Sequence, residues 1–100
     1  MILEAAILNV KEHKRDNFEE TFRKASKIIE AIPGYIQHTL NKCLEEEGKY
    51  LLLVEWQNLE DHTIGFRESE AYKEWKALLH HYYEPFPTVE HFEKVDLANS

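Results

Sequence analysis

The densest group of chemically capable side chains runs from Trp56 to Ser69, WQNLEDHTIGFRES. An apolar strand ending in Trp56 hands over to a short helical segment carrying His62, Phe66 and Arg67, so an indole, an imidazole, a phenyl ring and a guanidinium meet near one sheet edge. Rings with a few polar tips are what line a pocket for a flat organic molecule. Each residue also has a plainer reading. Trp56 buries a large apolar area whatever else it does, and His62 on a surface would do nothing. Arg67 either pairs with Glu68, Glu70 or Glu74 or neutralises a carboxylate or phenolate on a ligand. His38 shares a strand face with Ile36 and Leu40, which makes it a buried histidine satisfied by a neighbour or a polar group aimed between sheet and helices. His91, between Glu90 and Phe92, faces the same pocket as His38 or a partner chain. Tyr72 and Trp75 form a helical core stripe with Leu79 and Tyr82, and they add to a pocket wall where that stripe reaches it.

Several chemistries lose their usual warrant. The chain has no glycine-rich phosphate loop, no HExxH, no CxxC and no GxSxG. His80 and His81 are adjacent, and adjacent helix positions point about 100° apart, so they do not chelate one ion easily. A helix pair between His80 and Glu84 is the better reading, and no metal is expected. Cys43 is alone, which rules out an intrachain disulfide and suits a reducing compartment. No helix N-terminus follows it to activate the thiol.

One hundred residues suit a single domain spanning 1–100 with a modest core, to which association would add burial. A 43% apolar share, 12% aromatic, with three Gly and three Pro, is that of a folded domain, with Ala98 to Ser100 the stretch set apart. Net charge is −7; acids and bases balance over residues 1–30, and the acidic excess lies in 31–100. That portion repels a polyanion, so nucleic acid is not an expected partner. MILEAAILNV has no basic start and meets Glu4 early, and no run reaches the ~20 apolar residues of a membrane span. A soluble, cytoplasmic protein without a membrane partner is expected.

The elements that must position these residues follow from periodicity. Ile2 to Val10 reads as a strand apolar on both faces. Asp16 with Glu19 resembles a capping box, and Phe18, Phe22, Ala25, Ile29 and Ile32 then mark one stripe of a helix. Pro33-Gly34 ends it. Tyr35 to Leu44 is a second strand, with Ile36, His38, Leu40 and Leu44 on one face. The acidic turn Glu45 to Gly48 leads into a third strand, Lys49 to Trp56. Asn58 starts a helical piece through Glu68 that Gly65 weakens, and Ser69 caps another. Pro85 and Pro87 bracket a turn before a last strand, Thr88 to Val95.

Strand, helix, strand, strand, helix, strand is the split βαβ pattern of a ferredoxin-like α+β fold, a four-stranded antiparallel sheet with two helices on one face. Because the third strand is apolar on both sides, the uncovered face calls for a partner. A second copy, closing two sheets into a dimeric α+β barrel, is the expected one.

Over residues 2–95 the chain resembles the antibiotic biosynthesis monooxygenase family. The marks are Pro33-Gly34 before the second strand, YLLLVEW ending in Trp56, NLEDH after it, and Ser69 opening the next helix. The resemblance implies a homodimer that oxygenates a small aromatic, phenolic or quinone-type molecule with O₂ and without a cofactor. Trp56 would be a pocket wall, with Phe66, Tyr72, Trp75 and His91 beside it, and Arg67, His62 or His38 would serve the anion. Two departures stand out: Leu52 replaces an Asn that some oxygenases carry, and Phe66 replaces a His found in many members. Haem-degrading relatives use a first-strand Asn, the Trp and a helix His. Here Asn9 falls late on its strand and Lys76 lies near the ligand position, which disfavours haem. The same barrel also supports cofactor-free isomerases that move a proton with a His, and non-catalytic dimers that bind a hydrophobic metabolite.

Overall fold

The computed structural model describes residues 1–98, so Asn99 and Ser100 of the set-apart C-terminal end lie outside the described residues. Six regular elements occur in the expected order: β1 (Ile2–Asn9), α1 (Phe18–Glu30), β2 (Tyr35–Lys42), β3 (Lys49–Trp56), α2 (Glu70–Leu79) and β4 (Val89–Glu93). The strands form one antiparallel sheet in the order β2-β3-β1-β4, the ferredoxin-like arrangement. Among the described residues no helix is long and apolar enough to cross a membrane.

Alternation decides which strand residues meet the helices. On β3 Tyr50, Leu52, Val54 and Trp56 are buried, and their β1 partners Leu8, Ala6 and Glu4 are buried with them. The layer above is Phe18, Phe22, Ala25 and Ile29 of α1, Trp75 and Leu79 of α2, and Phe66, Tyr82 and Tyr83 from the connections. Phe18 is wholly buried, in ring contact with Phe22, Tyr50, Tyr82 and Tyr83. The opposite face is open. Ile7 is 40% and Phe92 50% exposed, and Leu51 and Leu53 are half-buried, so β1 is covered on one side and not on both.

Four local readings are corrected. The chain enters a 3₁₀ turn at Glu12–Asn17, where the Phe18 amide donates to Arg15 O. Asp16 therefore sits inside a turn, and no side chain caps α1 at Asn17. In β2 the register skips between Tyr35 and Gln37, a bulge that brings Tyr35 to the Trp56 side and leaves Ile36 43% exposed. Leu44 lies beyond the strand and is exposed. The segment after Asn58 is a single π-helical turn, Asp61–Phe66, with the Arg67 amide donating to His62 O at 3.1 Å.

Two sequence signals act as read. Ser69 Oγ accepts from the Tyr72 amide at 3.2 Å and starts α2. Gly34 has φ +90°, and a Cβ there would come within 2.2 Å of the Asp61 side chain. Asp61 is held in place because its carboxylate accepts from the Asn58 amide at 3.0 Å.

Candidate functional site

The π-helical turn fixes the site. Its wide spacing points His62 and Phe66, four residues apart, at the sheet, and both are buried. Single π turns of this kind often occur at functional positions. Phe66 meets Tyr72 and Trp75 edge-on, at 5.2 and 5.6 Å between centroids, so the turn and α2 share one aromatic wall.

Between that wall and the sheet lies a cavity of about 340 Å³. Its floor is Ala6, Leu8, Leu52 and Val89, from three strands. Phe66, Tyr72, Trp75, Tyr83 and Phe86 supply rings, and Glu4, His62, Arg67 and His80 supply polar groups. The volume is at the small end of the range for small-molecule sites, which begins at roughly 300 Å³.

The polar groups form a connected chain. His91 on β4 is paired with Glu4 on β1, which puts the two on one sheet face. His62 lies over both: its Nε2 is 3.4 Å from Glu4 Oε1 and its Nδ1 is hydrogen-bonded to His91 Nε2 at 2.8 Å. Trp56 Nε1 donates to the same Glu4 oxygen at 2.9 Å, and the indole stacks on the His62 ring at 5.4 Å and 21°. Burial, then the nearby Arg67 and His91, push His62 down to about 3, so its imidazole is neutral. Burial also raises the Glu4 carboxyl, against the opposing effects of the Trp56 hydrogen bond and the Arg67 charge. An ionised Glu4 favours the His62 proton on Nε2, which leaves Nδ1 to accept from His91 Nε2–H.

Of the residues singled out from the sequence, His62, Arg67, Phe66, Tyr72 and Trp75 line this cavity. Trp56 and His91 stand one layer behind His62, so Trp56 supports the wall and does not face the cavity. His38 is elsewhere. It bonds Tyr35 Oη through Nδ1 and Ser26 Oγ through Nε2 at 3.1 Å, and it lines a separate cavity of about 280 Å³ beside α1. Phe22, in ring contact with both Trp75 and His38, lies between the two. Burial lowers the His38 pKa, and its ring is satisfied by neighbours, the plainer of its two readings.

Glu4 and His80 were not picked out as pocket residues. Glu4 had a usable signal: it shares strand parity with Ala6 and Leu8, so an inward-facing β1 puts an acid in the core. His80 reaches the cavity because α2 ends in a 3₁₀ turn, where the ring packs against Tyr72 and Phe86. Among the described residues no group of three or more His, Cys, Asp or Glu is arranged to hold a metal ion.

The sequence pattern of the antibiotic biosynthesis monooxygenases matches residues 1–78. The chain is 61% identical over 95 residues to the uncharacterized protein YczJ of Bacillus subtilis (strain 168), spanning 95% of this chain and 100% of that one. Among solved structures it is similar to a Bordetella bronchiseptica protein named for antibiotic biosynthesis monooxygenases, with TM-score 0.89, 28% identity, and coverage of 94% of this chain and 96% of that one. It also matches a variant of SnoaB, a cofactor-independent oxygenase from Streptomyces nogalater. There the TM-score is 0.82 at 13% identity, over 99% of this chain and 97% of that one, a likeness of fold alone. Sequence and fold together place the chain in the antibiotic biosynthesis monooxygenase family.

Proposed function

We propose that this protein is a cofactor-independent monooxygenase acting on a small phenolic or hydroquinone-type aromatic. The observation that carries the reading is the cavity in which Arg67 and a buried carboxyl stand against five aromatic rings. An electron-rich phenolate can itself give an electron to O₂. The protein then has to bind the ring, exclude water and favour the anion. Phe66, Tyr72 and Trp75 offer faces and edges for a flat ring, and the Arg67 guanidinium offers a charged donor to its oxygen. After electron transfer, dioxygen adds to a ring carbon as a hydroperoxide, and loss of water leaves a carbonyl there. His62, with both ring nitrogens directed at protein groups, serves as a wall and as support for Glu4.

The working unit in this reading is a homodimer. Ile7, Leu51, Leu53 and Phe92 lie on the sheet face away from the helices, and a second sheet would cover them.

An oxygen-electrode screen of hydroquinones and dihydroxynaphthalenes tests the reading, with wild type compared to Arg67→Ala and Trp56→Phe. The wild type should consume O₂ with at least one of these, and Arg67→Ala should lower kcat/KM at least about tenfold, the loss of one charged hydrogen bond to the anion. O₂ uptake unchanged in Arg67→Ala would contradict the role given to the guanidinium.

A further inference from the structure

Glu4 is 5% exposed, an acid within the otherwise apolar run Ile2 to Leu8 of β1 and on the wall of the cavity. For packing alone, an aliphatic side chain opposite Val54 would serve better, because a buried carboxyl loses its hydration. Its two described partners converge on one atom. Trp56 Nε1 donates to Oε1, and His62 Nε2 stands 3.4 Å from that same oxygen. Among the described residues no hydrogen-bond partner falls on Oε2. His62 itself has no nitrogen to spare, since Nδ1 is bonded to His91.

We infer that Glu4 is the base of the cavity, its carboxylate taking the hydroxyl proton of a bound phenol. This rests on the oxygenase reading for the identity of the ligand. The phenol O–H bond breaks, the electron pair stays on the phenol oxygen, and the proton goes to Glu4 Oε2. Arg67, also on the cavity wall, faces the new phenolate. Once dioxygen has added to the ring, the same proton goes to the peroxide anion and Glu4 is a carboxylate again. Trp56, His62 and His91 are positioning residues: Trp56 and His62 flank Oε1 and so aim Oε2, and His91 orients the His62 ring. Burial raises the carboxyl above its ordinary value, which makes it a stronger base than an exposed one.

The probe is 4-nitrophenol, whose phenolate has a visible absorption band and which does not consume O₂. At mildly alkaline pH the free ligand is the phenolate. Binding it beside Glu4 requires the carboxyl to take a proton from solvent. Calorimetry in buffers of different ionisation enthalpy should show about one proton taken up per ligand bound by wild type. Glu4→Gln should keep the phenolate band and lose the uptake. An infrared difference spectrum of wild type needs no variant: binding should bring up the C=O stretch of a protonated carboxyl. His91→Phe should weaken proton uptake while leaving the fold intact by circular dichroism, a split that a purely structural role would not give.

Equal proton uptake by wild type and Glu4→Gln, no protonated carboxyl band, or no binding of the phenol at millimolar concentration would each overturn the inference. Proton uptake without O₂ consumption by any hydroquinone would support Glu4 as a base while the oxygenase reading fails. O₂ consumption without proton uptake would do the reverse.

Discussion

Acidification should destabilise this protein through His62 before it touches most carboxylates. His62 is 3% exposed, and burial with the Arg67 and His91 charges brings it from the ordinary 6.5 down to about 3. In the unfolded chain the imidazole takes a proton near its ordinary value; in the folded chain it stays neutral until far lower pH. Between the two, the unfolded state binds more protons, so stability falls by about 1.4 kcal/mol for each pH unit of acidification. By about pH 5 the loss from this residue reaches roughly 2 kcal/mol, a substantial part of a typical 5–15 kcal/mol. Glu4 works the other way, because its raised pKa lets the folded state hold a proton the unfolded state has released; that stability is lost as pH rises. His38, His80 and His91 are lowered by burial and share the sign of His62. His62→Phe isolates the effect by keeping a ring stacked on Trp56 while removing the titration. Urea unfolding from neutral pH to about pH 5 should show wild type losing about 2 kcal/mol more stability than the variant, with the steepest fall toward the acid end. Parallel curves would refute a buried, neutral His62.

Two further outcomes test the scaffold. Gly34→Ala combines a φ of +90° with a Cβ driven into Asp61, so it should cost more than the ~1 kcal/mol of a left-handed alanine and lower the urea midpoint. A variant as stable as wild type would contradict the close approach. Ile7→Lys places an ammonium on the open sheet face, and an unpaired charge buried in a dimer costs several kcal/mol. Light scattering should show a wild-type dimer and a monomeric variant; two identical species of either kind would contradict the proposed interface.

Most of the fold was legible because it rests on two periodicities. The Phe18 to Ile29 stripe, the alternation in β3, the Pro33-Gly34 stop and the Ser69 cap are all local signals, and local signals survive in sequence. What failed was set by neighbours. The 3₁₀ turn at Glu12–Asn17 follows β1 directly, tied by the Lys11 amide to Tyr82 O, a contact 71 residues distant that no pattern announces. The bulge at Ile36 inverted one face assignment in β2, because a single extra residue shifts side-chain parity.

The site was legible by segment and not by partner. Trp56, His62, Phe66 and Arg67 lie close together, as their short separation in the chain suggested. His38 belongs to a strand on the far side of β3 from β1, and strand order is not written in any one segment. Glu4 acquires meaning only when β1 is seen between β3 and β4, with Trp56 on one neighbour and His91 on the other. The acid that interrupts the apolar N-terminal run is the one that the two rings and the indole surround.

Mass spectrometry of the product formed from a dihydroxynaphthalene under isotopically labelled dioxygen tests the monooxygenase chemistry itself. Wild-type protein freed of metals and cofactors should place one labelled oxygen atom in the product and release the other as water, and Arg67→Ala should do so at a much lower rate. Product carrying oxygen from solvent alone, or labelled product formed equally fast without the protein, would contradict the assignment of a monooxygenase site to this cavity.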